Sequence, residues 1–211
     1  MDQVNIFKNF VSSGNLRLDT LLKFTAEIDK MTQVLRRNLL VDGSRRENDA
    51  EHSWHISVMA LLFKEFAVEK VDPLHAVEML LVHDLVEIYA GDTFAYDVDG
   101  YKTKAEREKR AADKLFSMLP EEQREYIRKL WEEFDSRSSP DARYADCLDK
   151  MQPFLHNMLT EGHTWKATDI RTVRAQVEQR MSVLKDFMPE IHRWAVSCMD
   201  HAVASGWLRE Q

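Results

Sequence analysis

Leu80–Asp92, LLVHDLVEIYAGD, sets two ionisable groups, His83 and Asp84, side by side in an otherwise apolar run. Burying such groups costs free energy unless each finds a partner, so the doublet asks for something that pairs with both. Imidazole and carboxylate together suit a first-row divalent cation. The local pattern is helical. Asp72-Pro73 supplies an N-cap and a proline at the first helical position, and Val77, Leu80, Leu81, Leu85 and Ile88 then carry an apolar face to Gly91. The doublet is therefore expected inside a helix that ends at Gly91.

Outward from this stretch the apolar period is 3.6 residues almost everywhere, and no alternating β-branched run is long enough for a sheet, which predicts an all-α fold. Leu22, Ile28, Met31 and Leu35 mark one face of a first long helix, and Ile56, Met59, Leu62, Phe63 and Phe66 that of a second. A polar, aromatic-bearing loop over Asp92–Thr103 leads to a charged helix around Lys104–Leu119, and Pro120 opens another through Trp131 and Phe134. Ser139-Pro140 repeats the helix-start signal ahead of Tyr144, Leu148, Met151, Leu155 and Leu159, with a bend expected at Pro153 and an end at Gly162. Two last helices are read over roughly 170–187 and 189–205, with Gly206 as a C-terminal cap.

The 211 residues suit one generous core, and six Gly and five Pro leave little for linkers, so a single domain over 1–211 is expected, with the metal-site core at about 37–160 and the helices at about 170–205 packed on it. Hydrophobic residues at 44% and charged ones at 31% exclude disorder. A net charge of -7 argues against a nucleic-acid polymer as partner, though not against a single nucleotide. Cys147 and Cys198 stand far apart and read as reduced thiols. No basic leader followed by an apolar run and no membrane span is present, so a cytoplasmic protein is expected.

Further ligands are sought on other helices. His52 lies in RRENDAEHSWH near a helix start with Asn48 or Asp49 as N-cap, and His55 follows one turn later; either can face inward. Glu87 stands four residues after His83, on the same face one turn on, and Asp92 follows the helix end. Asp149, among Leu148, Met151 and Phe154, is the downstream carboxylate, and Asp146 one turn earlier is its rival. Arg36, Arg37, Arg45 and Arg46 cluster just before His52, where guanidinium groups could meet a phosphate or solvate a helix end. Thr93, Phe94, Tyr96 and Tyr101 could stack on a base, cover the site or anchor the loop. Trp131, Trp165, Trp194 and Trp207 read as core or subunit-contact residues.

In order, RRENDAEHSW, HDxxExxxGD, EREKRAADKLFSMLP and ARYADCLDK resemble the HD-domain metal-dependent phosphohydrolases, especially the branch of bacterial 5'-deoxynucleotidases and oxetanocin-like hydrolases. The resemblance covers most of the chain and implies a helical HD-domain bundle. It makes His52, His83, Asp84 and Asp149 the metal ligands, choosing Asp149 over Asp146, and places Glu87 and Asp92 beside them as a catalytic pair. Glu87 would orient or deprotonate water, and Asp92 would assist the leaving group. Arg37 matches an arginine that contacts substrate phosphate, for which the solvated reading stands at Arg36, Arg45 and Arg46. The resembled deoxynucleotidases have Trp after that arginine where this chain has Asn38, and FLHNMLTEGHTWKATDI is more like uncharacterised bacterial members.

The implied activity is hydrolysis of a small phosphomonoester, foremost a 2'-deoxyribonucleoside 5'-monophosphate. The alternatives are another nucleotide or phosphorylated metabolite, or a non-catalytic metal-dependent nucleotide-binding module. One divalent ion (Mn, Co, Fe, Zn, Ni or Mg) is expected, since the extra histidines of two-metal relatives are not evident. His55, His75, His156, His163, His192 and His201 are read as structural or exposed. The resemblance also implies a homodimer.

Overall fold

The computed structural model describes residues 6–167 and 172–211. Helix α1, Leu16–Ile28, starts at Asn15, whose side chain accepts from the Leu18 N–H, and runs into a 3-10 turn over Asp29–Gln33. A hairpin follows, β1 (Leu35–Leu39) antiparallel to β2 (Arg46–Asn48). Next come α2 (Asp49–Leu62), α3 (Pro73–Val82), the single turn α4 (Glu87–Ala90), α5 (Val98–Phe116), α6 (Glu121–Ser136) and α7 (Pro140–Leu159). Then α8 (Arg174–Met181), α9 (Val183–Phe187) and α10 (Pro189–Ala204) close the described chain. Helices dominate, as the 3.6-residue period predicts.

The centre is formed by α2, α3 and α7 packed on one another, with α6 against α3 and α7, α5 against α4, and α8–α10 against one another with α8 and α9 on α7. One apolar cluster joins Ile56, Leu80 and Leu148 to Met181, Leu184 and Met199; a second gathers Phe24, Met79, Leu115 and Phe116. Ile56, Leu80 and Leu148 are wholly buried, and each such side chain contributes roughly 1.5–3 kcal/mol. The caps at Asp72-Pro73 and Ser139-Pro140 form as expected: Asp72 accepts from the Leu74 N–H and Ser139 from the Ala142 N–H. Of the two candidate caps for α2, Asn48 serves, in a reciprocal capping box with Glu51.

Four local expectations are corrected. The first helix does not reach Leu35: it stops at Ile28, Val34 is extended, and Leu22 and Leu35 are exposed while Met31 is buried. A hairpin takes over because Gly43, at φ 72°, turns the chain and its N–H reaches the Leu40 carbonyl at 2.8 Å. Second, the helix carrying the doublet is interrupted. The imidazole of His83 takes the Leu80 carbonyl at 2.8 Å, the acceptor that the Asp84 N–H would use in a continued helix. Leu85, Glu87 and Ile88 accordingly bond three residues back, to Val82, Asp84 and Leu85.

Third, α5 begins at Val98, with Asp97 as its cap, so Tyr101 belongs to a helix and not to the loop. Fourth, the segment read as one helix to Phe187 is two, α8 and α9, and its expected start at residue 170 lies outside the described residues. Helix α7 runs on through Pro153 to Leu159. No helix among the described residues is long and apolar enough to cross a membrane.

Candidate metal centre

His52, on the inward face of α2, is wholly buried. Its Nδ1 donates to Oε1 of Gln152 at 3.0 Å, which leaves the Nε2 lone pair 3.1 Å from Oδ1 of Asp149 and 3.9 Å from Oδ2 of Asp84. His83 is fixed in the same way: its Nδ1 donates to the Leu80 carbonyl, and its Nε2 lies 3.1 Å from Asp84 Oδ2 and 3.7 Å from Asp149 Oδ1. A carbonyl oxygen only accepts, so each Nδ1 must carry the hydrogen and each Nε2 is free to face a cation. Nε2 of His83 is buried without a hydrogen-bond partner.

These residues fit a divalent ion. Donor atoms of His52, His83 and Asp149 lie within 4.8 Å of one another, with Asp84 beside both imidazoles. Asp84 has a second set of neighbours, Asp49 and Glu87, with which it forms another group of the same tightness. Asp146 turns elsewhere, to Lys150 and to Arg137 at 3.0 Å.

Arg36 balances the carboxylates. Its Nη1 donates to Asp84 Oδ2 at 2.8 Å and to Asp49 Oδ1 at 3.1 Å, and its side chain is only 11% exposed. The solvated reading of Arg36 is thus overturned. In β1, Arg36 and Asn38 share the inward face, and the Asn38 amide donates to the Pro153 carbonyl at 2.9 Å. Arg45 remains at the surface with Glu51, and Arg46 donates to the Leu35 and Arg36 carbonyls. The guanidinium of Arg37 lies 4.6 Å from the centre of the Phe94 ring.

The electrostatics follow from this crowding. Burial resists protonation of His83, but Asp84 and Asp149 outweigh it and raise its pKa to about 10. Burial and Arg36 hold His52 down, to about 4. Burial would raise Asp84 and Asp149, yet the two imidazoles beside them keep both below the usual carboxylate range. A proton on His83 and a divalent cation would neutralise the same charge, so a cation held here would take the place of that proton. Asp49 is pushed up to about 7 by burial and by Asp84. Glu87 is raised well above its ordinary value by burial and then by Asp84, Asp49 and Asp92. Asp92 is raised too, by burial.

His83, Asp84, Glu87, Asp92 and Asp149 open on one cavity of about 330 Å³, within the range of small-molecule sites. A narrower cavity adjoins it, bordered by Arg37, Asp92, Phe94 and Tyr96. Phe94 is buried and meets Tyr96 edge to face, and Arg107 donates to Thr93, so this loop is anchored.

Sequence reasoning missed Arg36, Asp49 and Gln152. Gln152 stands one turn after Asp149 on the same face of α7, a spacing that could have found it. Its amide nitrogen lies 2.5 Å from Glu47, 3.2 Å from His55 and 3.1 Å from His156, so its oxygen must face His52. His55 and His156 thereby hold the residue that orients a ligand.

Residues 28–192 match a family model described as HD domain. Among similar proteins is the 5'-deoxynucleotidase HDDC2 of Homo sapiens, 28% identical over 137 residues, which are 64% of this chain and 66% of that protein. Its counterpart in Danio rerio is 28% identical over 160 residues, 75% and 76% of the two chains. The crystal structure of a predicted metal-dependent phosphohydrolase from Magnetospirillum magnetotacticum MS-1 superposes with a TM-score of 0.85 at 46% identity, covering 92% of this chain and 96% of that one. With a family model spanning the whole cluster from His52 to Asp149 and a 46% identical neighbour matched along nearly all its length, the chain belongs to the HD domain family.

Proposed function

We propose that this protein is a metal-dependent phosphohydrolase acting on a small phosphomonoester, with 2'-deoxyribonucleoside 5'-monophosphates as its substrates. The observation that carries this reading is the convergence of two correctly oriented imidazole Nε2 atoms and two carboxylates at the wall of a cavity that also contains Glu87 and Asp92. His52, His83, Asp84 and Asp149 would hold one divalent ion. Such an ion lowers the pKa of a water and polarises a phosphoryl oxygen. The 5'-deoxynucleotidase names of the relatives favour the nucleotide.

The chain's own acids then divide the proton work. Glu87, buried behind Asp84, with its pKa raised by burial and then by Asp84, Asp49 and Asp92, orients the attacking water by hydrogen bonding. Asp92 borders both cavities, its pKa raised by burial, and is the acid assigned to the departing sugar oxygen. Arg37 and Phe94 line the narrower cavity, where a nucleotide can extend. Asn38 is tied to Pro153, so the wall that Trp supplies in the resembled enzymes is absent there, which keeps other phosphorylated metabolites as the second reading.

The reading extends to one domain across the chain, a cytoplasmic setting supported by two free cysteines, and a homodimer. Trp54, Val58, Leu61 and Leu62, exposed along α2, offer an apolar face for a second copy.

Phosphate release from a panel of ribo- and deoxynucleoside 5'-monophosphates, after chelation and readdition of Mn²⁺, Co²⁺ or Zn²⁺, tests the substrate assignment. Faster release from deoxynucleotides than from their ribo counterparts is expected, with none from Asp84→Ala. A folded, metal-loaded protein that releases phosphate from no nucleotide would reject it.

A further inference from the structure

The site is rich in carboxylates, so a phosphate dianion entering it needs positive charge that is not already engaged. Of the basic residues lining the larger cavity, four are taken. Arg36 serves Asp49 and Asp84, Lys104 pairs with Glu108 at 2.6 Å, and Arg137 and Lys150 both serve Asp146. Arg180, near the end of α8, lines the same cavity and makes no hydrogen bond or ion pair with any described residue. Burial works against its charge, and Asp149 is foremost among the groups that sustain it. Arg180 is half-buried, and a guanidinium that lines the cavity with no hydrogen-bonding partner among the described residues keeps its donors for water or for an anion that enters.

Arg37 does not answer the same need. It borders only the narrower cavity, over Phe94, whereas Arg180 borders both and shares the larger one with His83, Asp84 and Asp149. We infer that Arg180 binds the phosphoryl group of the substrate at the metal centre, its planar fork matching two phosphoryl oxygens. This assigns the C-terminal helices, which lie outside the motifs that mark the family, a direct part in recognition. It rests on the phosphohydrolase reading for the identity of the substrate, but the phosphate site itself can be tested apart from turnover.

The test compares the wild type with Arg180→Gln and Arg180→Lys, measuring KM for the preferred nucleotide, the inhibition constant of inorganic phosphate and the affinity for Mn²⁺. Loss of a charge-assisted pair is expected to raise KM and the phosphate constant about tenfold to a hundredfold in Arg180→Gln. Lysine should restore part of the loss, and the Mn²⁺ affinity should be kept, which a merely structural role would not predict. Unchanged KM and phosphate inhibition in Arg180→Gln would overturn the inference. If the wild type hydrolyses no nucleotide, the phosphohydrolase reading fails, and calorimetric titration of inorganic phosphate into the Mn²⁺-loaded proteins decides the site. Weaker binding by Arg180→Gln then supports it, and equal binding, or none to the wild type, overturns it.

Discussion

Glu47 shows at the scale of one residue how burial sets chemistry. It is 1% exposed, accepts from the Gln152 amide and is pushed by burial from the ordinary 4.5 up to about 7. The folded state therefore binds this proton more tightly than the unfolded chain. The stability it contributes is complete below about 4.5 and is lost as pH rises through about 7. Glu47→Gln removes the titration but keeps an acceptor for Gln152. Metal-free thermal denaturation should show the variant gaining on the wild type as pH rises from about 5 to about 8. A constant difference in Tm across that interval would contradict the assignment. Residues of this kind also mark the limit of sequence reading. His52, His83, Asp84 and Asp149 stand out because such groups are rare on apolar faces. Arg36, Asp49 and Glu47 stand among charged neighbours at the entry to α2 and look like solvated surface until the fold buries them.

Elements were legible where a chemical signal marked their ends. Asp72-Pro73 and Ser139-Pro140 start helices as their cap chemistry requires, and α6 begins directly after Pro120. The β1–β2 hairpin was hidden because its inward positions are Arg36 and Asn38 rather than apolar residues, so no alternation of hydrophobicity announced it. The break after Val82 was hidden for another reason: a side chain, His83, competes for a backbone carbonyl, and periodicity does not record that. Gly162 does more than end α7. Its φ is 70°, its N–H reaches the Asn157 carbonyl at 2.7 Å, and a Cβ there would stand 2.6 Å from the Trp207 carbonyl. The turn after α7 is thereby pressed against the chain beyond α10. Gly162→Ala should cost about 1–3 kcal/mol from the left-handed backbone alone, with the collision added. Urea denaturation checks this, and a variant as stable as the wild type would show that the close approach is not maintained in solution.

Across the whole molecule the candidate metal centre joins parts of the chain that are far apart in sequence: His52 from α2, His83 and Asp84 from the end of α3, and Asp149 from α7. These are the same helices whose apolar faces make the central core, so the site is held by that core. One ion bridging them adds its binding free energy to that of folding, about 2.7 kcal/mol at a hundredfold excess over Kd. The 3.6-residue period made the helical architecture legible, and the order of the motifs picked out four side chains, His52, His83, Asp84 and Asp149, that the fold brings together. The convergence of α8 on the cavity was not legible, because Arg180 sits in a segment without a motif. The most direct test is to titrate Mn²⁺ into chelated wild-type protein and into Asp149→Ala while recording phosphate release from a deoxynucleoside 5'-monophosphate. Activity that rises to saturation at one ion per chain in the wild type and stays absent in the variant is the predicted result. Full release by the chelated protein, or by Asp149→Ala at the Mn²⁺ concentration that saturates the wild type, would contradict a metal centre at these residues.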